Sequence, residues 1–425
     1  MQRKKGNAAL LRLKGRLDGK LSAYRAASSE NEQLRALHDH LLGYCDALEF
    51  LRDHQSAAGG AGAPGSHASS AEQLLLVELS ALPRPGADRP PAADSDGAGA
   101  DSLADSNSAN SAASNAAVAL DAACARHPRG VAPPLGAAHA FDAWCARGDL
   151  HDLVCPPSDP FLLFKWLLAQ PPYPGAASVT AEGMVEAYKQ GMHEATLQLA
   201  VLEGGVLDDA GGRDAAARHA PLARLRHAIT EHLHLCVTLA RLHRAHMISQ
   251  LTLTNTITGE VLREPNMAVI SALARRLELS DGQLADISTA LAAMNRVLDP
   301  LLQECRQLQQ QLAAADGGGG GGADAGGGCS TSSMLHHLAS SNHRRAQLDR
   351  LSMLQHKGAF LRVAMSCQTV GYVTWAQLTK MSAWCSPYIP NTLSFAIAVA
   401  ELHAARVKER AAAAAAARRA AATRR

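Results

Sequence analysis

Apolar residues return every three or four positions from Asn7 to His54, with no proline and three glycines (Gly15, Gly19 and Gly43). That spacing predicts one long helix. Set on a heptad, position a holds Leu10, Leu17, Tyr24, Asn31, His38 and Cys45. Position d then holds Leu13, Lys20, Ala27, Leu34, Leu41 and Leu48. Leucine at four of six d positions, with one Asn at a, fits a parallel two-stranded zipper, because paired a-position Asn side chains bond in one register only. Lys20 and Ala27 weaken its first half, and His38 and Cys45 are unusual a residues. The other reading is an amphipathic helix packed on the rest of the chain.

After residue 55 the pattern collapses. Residues 56–118 are Ala, Gly, Ser, Asp, Pro and Asn with few large apolar side chains. Such a segment buries too little surface to offset its conformational entropy, so a disordered linker is expected. "AEQLLLVELSAL" (71–82) is the exception, with room for a turn or two of helix. A second flexible insertion, rich in Gly, spans 316–330.

Helical periodicity returns on both sides of that insertion. "PFLLFKWLLAQPPYPG" (160–175) reads as a short buried helix stopped by prolines. Thr180 is placed to cap a helix through "EGMVEAYKQGMHEATLQLAVLE". Pro221 fits the first turn of a long helix reaching about Met247. "QLTLTNTITGEVL" alternates β-branched residues around a Gly and suggests a small hairpin. Ser280 with Gln283, and Thr374 with Gln377, have capping-box spacing. Pro300 should kink the helix that Ser280 opens. A final helix starts near Pro390. The helices flanking the Gly-rich insertion are amphipathic, so segments from both sides should share one core.

The expected fold class is therefore mainly α. It comprises a basic arm and zipper-like coiled coil (1–55), a disordered low-complexity linker (56–118), and a C-terminal all-helical domain in two parts (119–315 and 331–410). The Gly-rich insertion (316–330) separates those parts, an Ala/Arg-rich tail (411–425) ends the chain, and a small hairpin is the most strand expected.

Charge changes the picture at the ends only. The chain carries +2 overall. Residues 1–25 nevertheless hold eight Lys or Arg against Asp18, and seven more cluster from Arg406 onward against Glu409. Both are cationic arms on a near-neutral body. Nine cysteines without a C-x-x-C pair argue for reduced, mostly buried thiols rather than a disulfide framework or zinc ribbon. "FAIAVA" and the Ala tract are far too short to span a membrane. The Arg-rich, acid-poor start also imitates an organellar transit peptide.

Enzyme chemistry finds no foothold. His227, His232, His234, His243 and His246 with Cys236 crowd one segment, yet a single helix face offers two ligands where a metal site needs three or four. The Gly run at 317–322 lacks the Lys-Ser/Thr that follows in a phosphate-binding loop. No nucleophile elbow or paired-carboxylate motif is present. Phe360, Met365, Tyr372, Trp375, Met381, Trp384, Tyr388 and Phe395 recur at helical spacing and read as core. No catalytic residue, cofactor or metal ligand is expected.

The pieces "SSENEQLRAL", "QPPYPGAASVTAE", "LTNTITGEV", "LSDGQLADISTALAAMNRVLDPLLQECRQLQQQL" and "YVTWAQLTKMSAWCSPYIPNTLSFAIAVAEL" appear in this order. In this the chain resembles the basic-leucine-zipper-like family of green algae. That family's layout is a zipper ending in E-N-x-x-L-R, a low-complexity spacer and a helical C-terminal region, and most members are predicted transcription factors. The resemblance covers the zipper and about half of residues 155–405. It implies a dimeric, DNA-associated transcriptional regulator in the nucleus, paired with itself or a relative through residues 10–52.

The chain departs from the family where DNA would be read. The reading pattern is Asn, seven residues, Arg, nine residues, then the first zipper Leu. Counting back from Leu34, it needs Arg at 24 and Asn at 16, where this chain has Tyr24 and Arg16. Asn7 is followed eight places on by Gly15. What remains for duplex DNA is Arg3, Lys4, Lys5, Asn7, Arg12, Lys14, Arg16 and Lys20, a set suited to salt-sensitive, sequence-independent phosphate contact. The alternative is a coiled-coil interaction or scaffold protein that has lost DNA reading, nuclear or cytoplasmic.

Overall fold

The computed structural model describes the backbone of residues 2–58, 135–204, 215–317 and 331–423. Residues 56–58 of the expected linker continue α1, while its remainder with the 71–82 helix, and nearly all of the Gly-rich insertion, lie outside the described residues. Among those described, secondary structure is helical apart from two isolated bridges, Leu153 with Thr374 and Thr254 with Val261. The helices are α1 (Gln2–Ala58), α2 (Leu135–Arg147), α3 (Leu162–Ala169), α4 (Ala181–Glu203), α5 (Ala215–Arg241) and α6 (His246–Leu253), followed by α7 (Met267–Arg276), α8 (Asp281–Gly317), α9 (Thr331–Gly371), α10 (Trp375–Cys385) and α11 (Thr392–Thr423).

α8 and α9 pack along each other. Gln347 donates to Gln311 at 3.0 Å, Arg350 to Glu304 at 2.7 Å, and Gln283 to the Tyr372 carbonyl at 2.9 Å. One number in each pair rises as the other falls, so the helices are antiparallel. The two sides of the Gly-rich insertion therefore share one hydrophobic core. That main core joins Phe141 of α2, Phe164 of α3, Leu225 of α5, Met294 of α8, Phe360 of α9, Trp375 of α10 and Phe395 of α11. A smaller core joins Met184 and Tyr188 of α4, Leu239 of α5 and Leu251 of α6.

Local chemistry sets the helix ends. The Thr180 hydroxyl accepts from the Gly183 amide at 3.1 Å, capping α4. At α8, Ser280 Oγ accepts from the Gln283 amide at 3.2 Å while Gln283 Oε1 accepts from the Ser280 amide at 2.9 Å. Thr374 and Gln377 repeat the exchange at α10, at 3.1 and 2.9 Å. Each box satisfies two amides that a helix start leaves without partners.

Two expectations are corrected. The helix from Pro221 does not run to Met247, and Pro221 lies inside α5, six residues after its start, rather than in the first turn. α5 stops at Arg241 because His243 takes φ 58° and the Arg244 amide turns back to the Leu239 carbonyl at 2.8 Å, closing a Schellman-type end without glycine. Arg244 holds that turn through hydrogen bonds to the Ala176, Ala177 and Val179 carbonyls at 2.7–2.8 Å. The hairpin expected over 250–262 shrinks to the Thr254–Val261 bridge, since Gln250–Leu253 belong to α6, whose Met247 and Leu251 are buried against α4 and α5.

A candidate interaction helix anchored by a buried polar network

α1 changes character near Leu37. Among its described side chains, every one from Leu17 to Arg35 is exposed. Leu17, Tyr24 and Leu34 are 58%, 73% and 57% exposed, and Lys20 and Asn31 are exposed as well. At 1.5 Å per residue this stretch is about 27 Å long. The side chains of Arg3, Lys4, Lys5, Asn7, Leu10, Arg12, Leu13, Lys14 and Arg16 lie outside the described residues, although the helical backbone runs through them.

From His40 onward the helix is docked. Tyr44, Ala47 and Leu51 are buried with Leu37, Leu41, Leu48 and Phe50 packed around them, against α8 and α9. The zipper seam assigned to Leu41 and Leu48 is thus corrected: both are half-buried against this chain's own core, and Cys45 at position a is buried too. The deepest residues, Tyr44 and Leu51, sit at heptad position g. A stripe at 37, 40, 44, 47 and 51 has three- and four-residue steps, and the packing selects it over the a/d stripe because it carries the aromatic ring.

The anchor is polar inside. The Tyr44 hydroxyl donates to Gln368 Oε1 at 2.7 Å, with Met365 Sδ at 3.0 Å. Gln368 Nε2 donates to His40 Nδ1 at 2.7 Å, which assigns the remaining imidazole proton to Nε2, facing the Tyr372 oxygen at 3.3 Å. Burial drives His40 down to about 4, against the opposing pull of Asp39, so the ring is neutral at physiological pH. Burial also raises the Tyr44 hydroxyl well above its ordinary range, with Tyr372 adding to it. The pairs 40–372 and 44–368 make α1 antiparallel to α9. The Tyr44 ring meets Phe161 edge-on at 5.3 Å.

None of His40, Tyr44, Gln368 or Tyr372 was singled out from the sequence as a partner of another. The legible signal was the stripe around Tyr44; a glutamine 324 positions away carries no mark of it.

The histidine-rich segment spreads rather than converges. His232 Nε2 lies 3.7 Å from Cys236 Sγ, His234 meets the Pro171 carbonyl at 2.9 Å, and His243 stacks on His356 with centroids 3.5 Å apart. Among the described residues no three metal-ligating side chains come together. Seven described cysteines are free thiols, six of them buried. No described helix is long and apolar enough to cross a membrane. No protein-family model, curated protein or solved structure matches the chain.

Proposed function

We propose that this protein is a non-enzymatic, dimeric, DNA-associated transcriptional regulator of the basic-leucine-zipper-like kind, acting in the nucleus. One observation carries the reading: α1 is anchored at residues 40–51 while its Leu17–Arg35 stretch stands exposed on all sides. A long helix with Leu17, Tyr24 and Leu34 open to water gains most by pairing with a second helix. In a parallel pair, Asn31 at position a meets its equivalent. Glu30 at g of one copy then comes opposite Arg35 at e of the other, an attraction made twice by symmetry. The Lys and Arg residues that precede this seam would then straddle the phosphates of a duplex.

The test is a gel shift of the full chain with random duplex pools at low and moderate salt, beside sedimentation equilibrium. The reading expects a dimer whose duplex affinity falls steeply with salt and depends little on sequence. A chain that stays monomeric at tens of micromolar removes it. A dimer that ignores DNA even at low salt selects the second reading, a coiled-coil scaffold, which Tyr24 at the place of the reading Arg favours.

A further inference from the structure

The helical domain holds two adjoining cavities that the DNA reading does not use. The larger is a cleft of about 280 Å³ walled by α6, the 263–267 segment, α9 and the start of α11. Its charged residues are Arg263, Glu264 and Arg362, and Ser249, Asn391 and Ser394 add neutral polar groups. The smaller, a chamber of about 100 Å³, lies between α4, α5, α6, α9 and α10, among side chains such as Met192, Leu251, Leu378, Met381 and Ile389. Ile248, Thr252, Val363, Ser366 and Thr392 line both, so the two adjoin at these side chains.

Polarity changes along this path. The mouth has two guanidinium groups against one carboxylate. Among the described residues, the chamber lining contains no Lys, Arg, Asp or Glu. Its titratable groups are neutral at pH 7: burial alone pushes His232 down to about 4 and the Cys236 thiol up to about 12, and burial first of all raises Cys367 and Tyr188. Aliphatic and thioether walls accept a hydrocarbon chain without leaving a charge unsolvated. A planar guanidinium accepts a carboxylate through paired N–H donors. Concave, mostly apolar space with a few convergent polar groups is the usual form of a small-molecule site.

We propose that the cleft and chamber together bind a medium-chain carboxylate, its head held at Arg263 and its alkyl chain passing Ile248 and Val363 into the chamber. Neither the dimer nor DNA enters this assignment. Arg263 is exposed, so it can be changed with little effect on the fold, whereas Ile248 is half-buried and packed against both cores.

The experiment is isothermal titration of the full chain with octanoate, decanoate, 1-decanol and decyl phosphate. Each methylene moved from water into the chamber is worth roughly fourfold in affinity, so decanoate should bind once per chain and roughly fifteenfold tighter than octanoate. Decanol should bind at least tenfold more weakly than decanoate. Arg263→Gln should erase most of the preference for acid over alcohol, and Ile248→Trp, checked for its fold by circular dichroism, should block decanoate. Absence of binding, equal binding of acid and alcohol, or decanoate binding that Ile248→Trp leaves intact would each overturn the proposal. Tighter binding of decyl phosphate than decanoate would overturn the carboxylate assignment. Should Ile248→Trp disturb the fold, the chain-length series and Arg263→Gln decide alone.

Discussion

Tyr44 and Gln368, 324 positions apart, share a 2.7 Å hydrogen bond in which the tyrosine hydroxyl donates to the amide oxygen. Both residues are fully buried. Removing the donor leaves an amide oxygen in a dry site, and such an unsatisfied group costs about 1–3 kcal/mol. Tyr44→Phe should lower the free energy of urea unfolding by that amount with an unchanged slope. A loss below about 0.5 kcal/mol would mean that water reaches Gln368, and that α1 is not tightly docked.

The same network makes stability fall with acid. His40 is held neutral in the fold at about 4, against its ordinary 6.5. Between those values the unfolded chain binds a proton that the folded chain refuses, so stability is complete above about pH 6.5 and drains away as pH falls toward 4. The full difference corresponds to roughly 3 kcal/mol. His232 contributes in the same direction. Proton NMR of the folded chain should show the His40 ring titrating well below 5; a His40 midpoint near 6.5 would sink this account.

Gly43 looks like a flaw in a helix, since Gly is about 1 kcal/mol worse than Ala there. In the fold it is a necessity: a Cβ at this position would overlap the edge of the Phe161 ring. Gly43→Ala is therefore expected to destabilise by about 1–3 kcal/mol through overpacking, in spite of its better propensity. Gly19, with nothing near its Cβ position, is the control. Gly19→Ala should be neutral or stabilising, and equal behaviour of the two variants in thermal melts would refute the packing at Phe161.

Gln283 serves two helices at once. It completes the box at Ser280, and its Nε2 donates to the Tyr372 carbonyl at 2.9 Å and to Gln377 Oε1 at 2.8 Å. Gln283→Ala should destabilise by roughly 2 kcal/mol, more than one cap alone accounts for. A double-mutant cycle with Gln377→Ala should give a coupling energy clearly different from zero.

Leu34 distinguishes fold from assembly. It is 57% exposed in the single chain, so Leu34→Ala should change monomer stability by less than about 0.5 kcal/mol. In the proposed dimer the same change should weaken association by about 2 kcal/mol per chain. Asn31→Leu should do the reverse, tightening association while admitting trimers or antiparallel pairs. Sedimentation equilibrium of the three proteins measures both effects, and identical profiles would remove the zipper.

Sequence alone determined what depends on near neighbours. The continuous helix across residues 7–54, the buried α3 before its prolines, the Thr180 cap and the boxes at Ser280 and Thr374 were all legible. Each rests on contacts within a few residues, where spacing and side-chain chemistry suffice. Tertiary structure decided which face of α1 is buried. The a/d spacing pointed to one stripe, and the burial of another, through Tyr44 and Leu51, belonged to Phe161, Gln368 and the helices that carry them. It likewise decided that the two capping boxes meet through Gln283 and Gln377, and that α5 ends at His243 because Arg244 is drawn to carbonyls more than sixty residues away. Long-range partners leave no periodicity in a chain; they are selected by the volume and unmet hydrogen bonds of a core that exists only once the helices have packed.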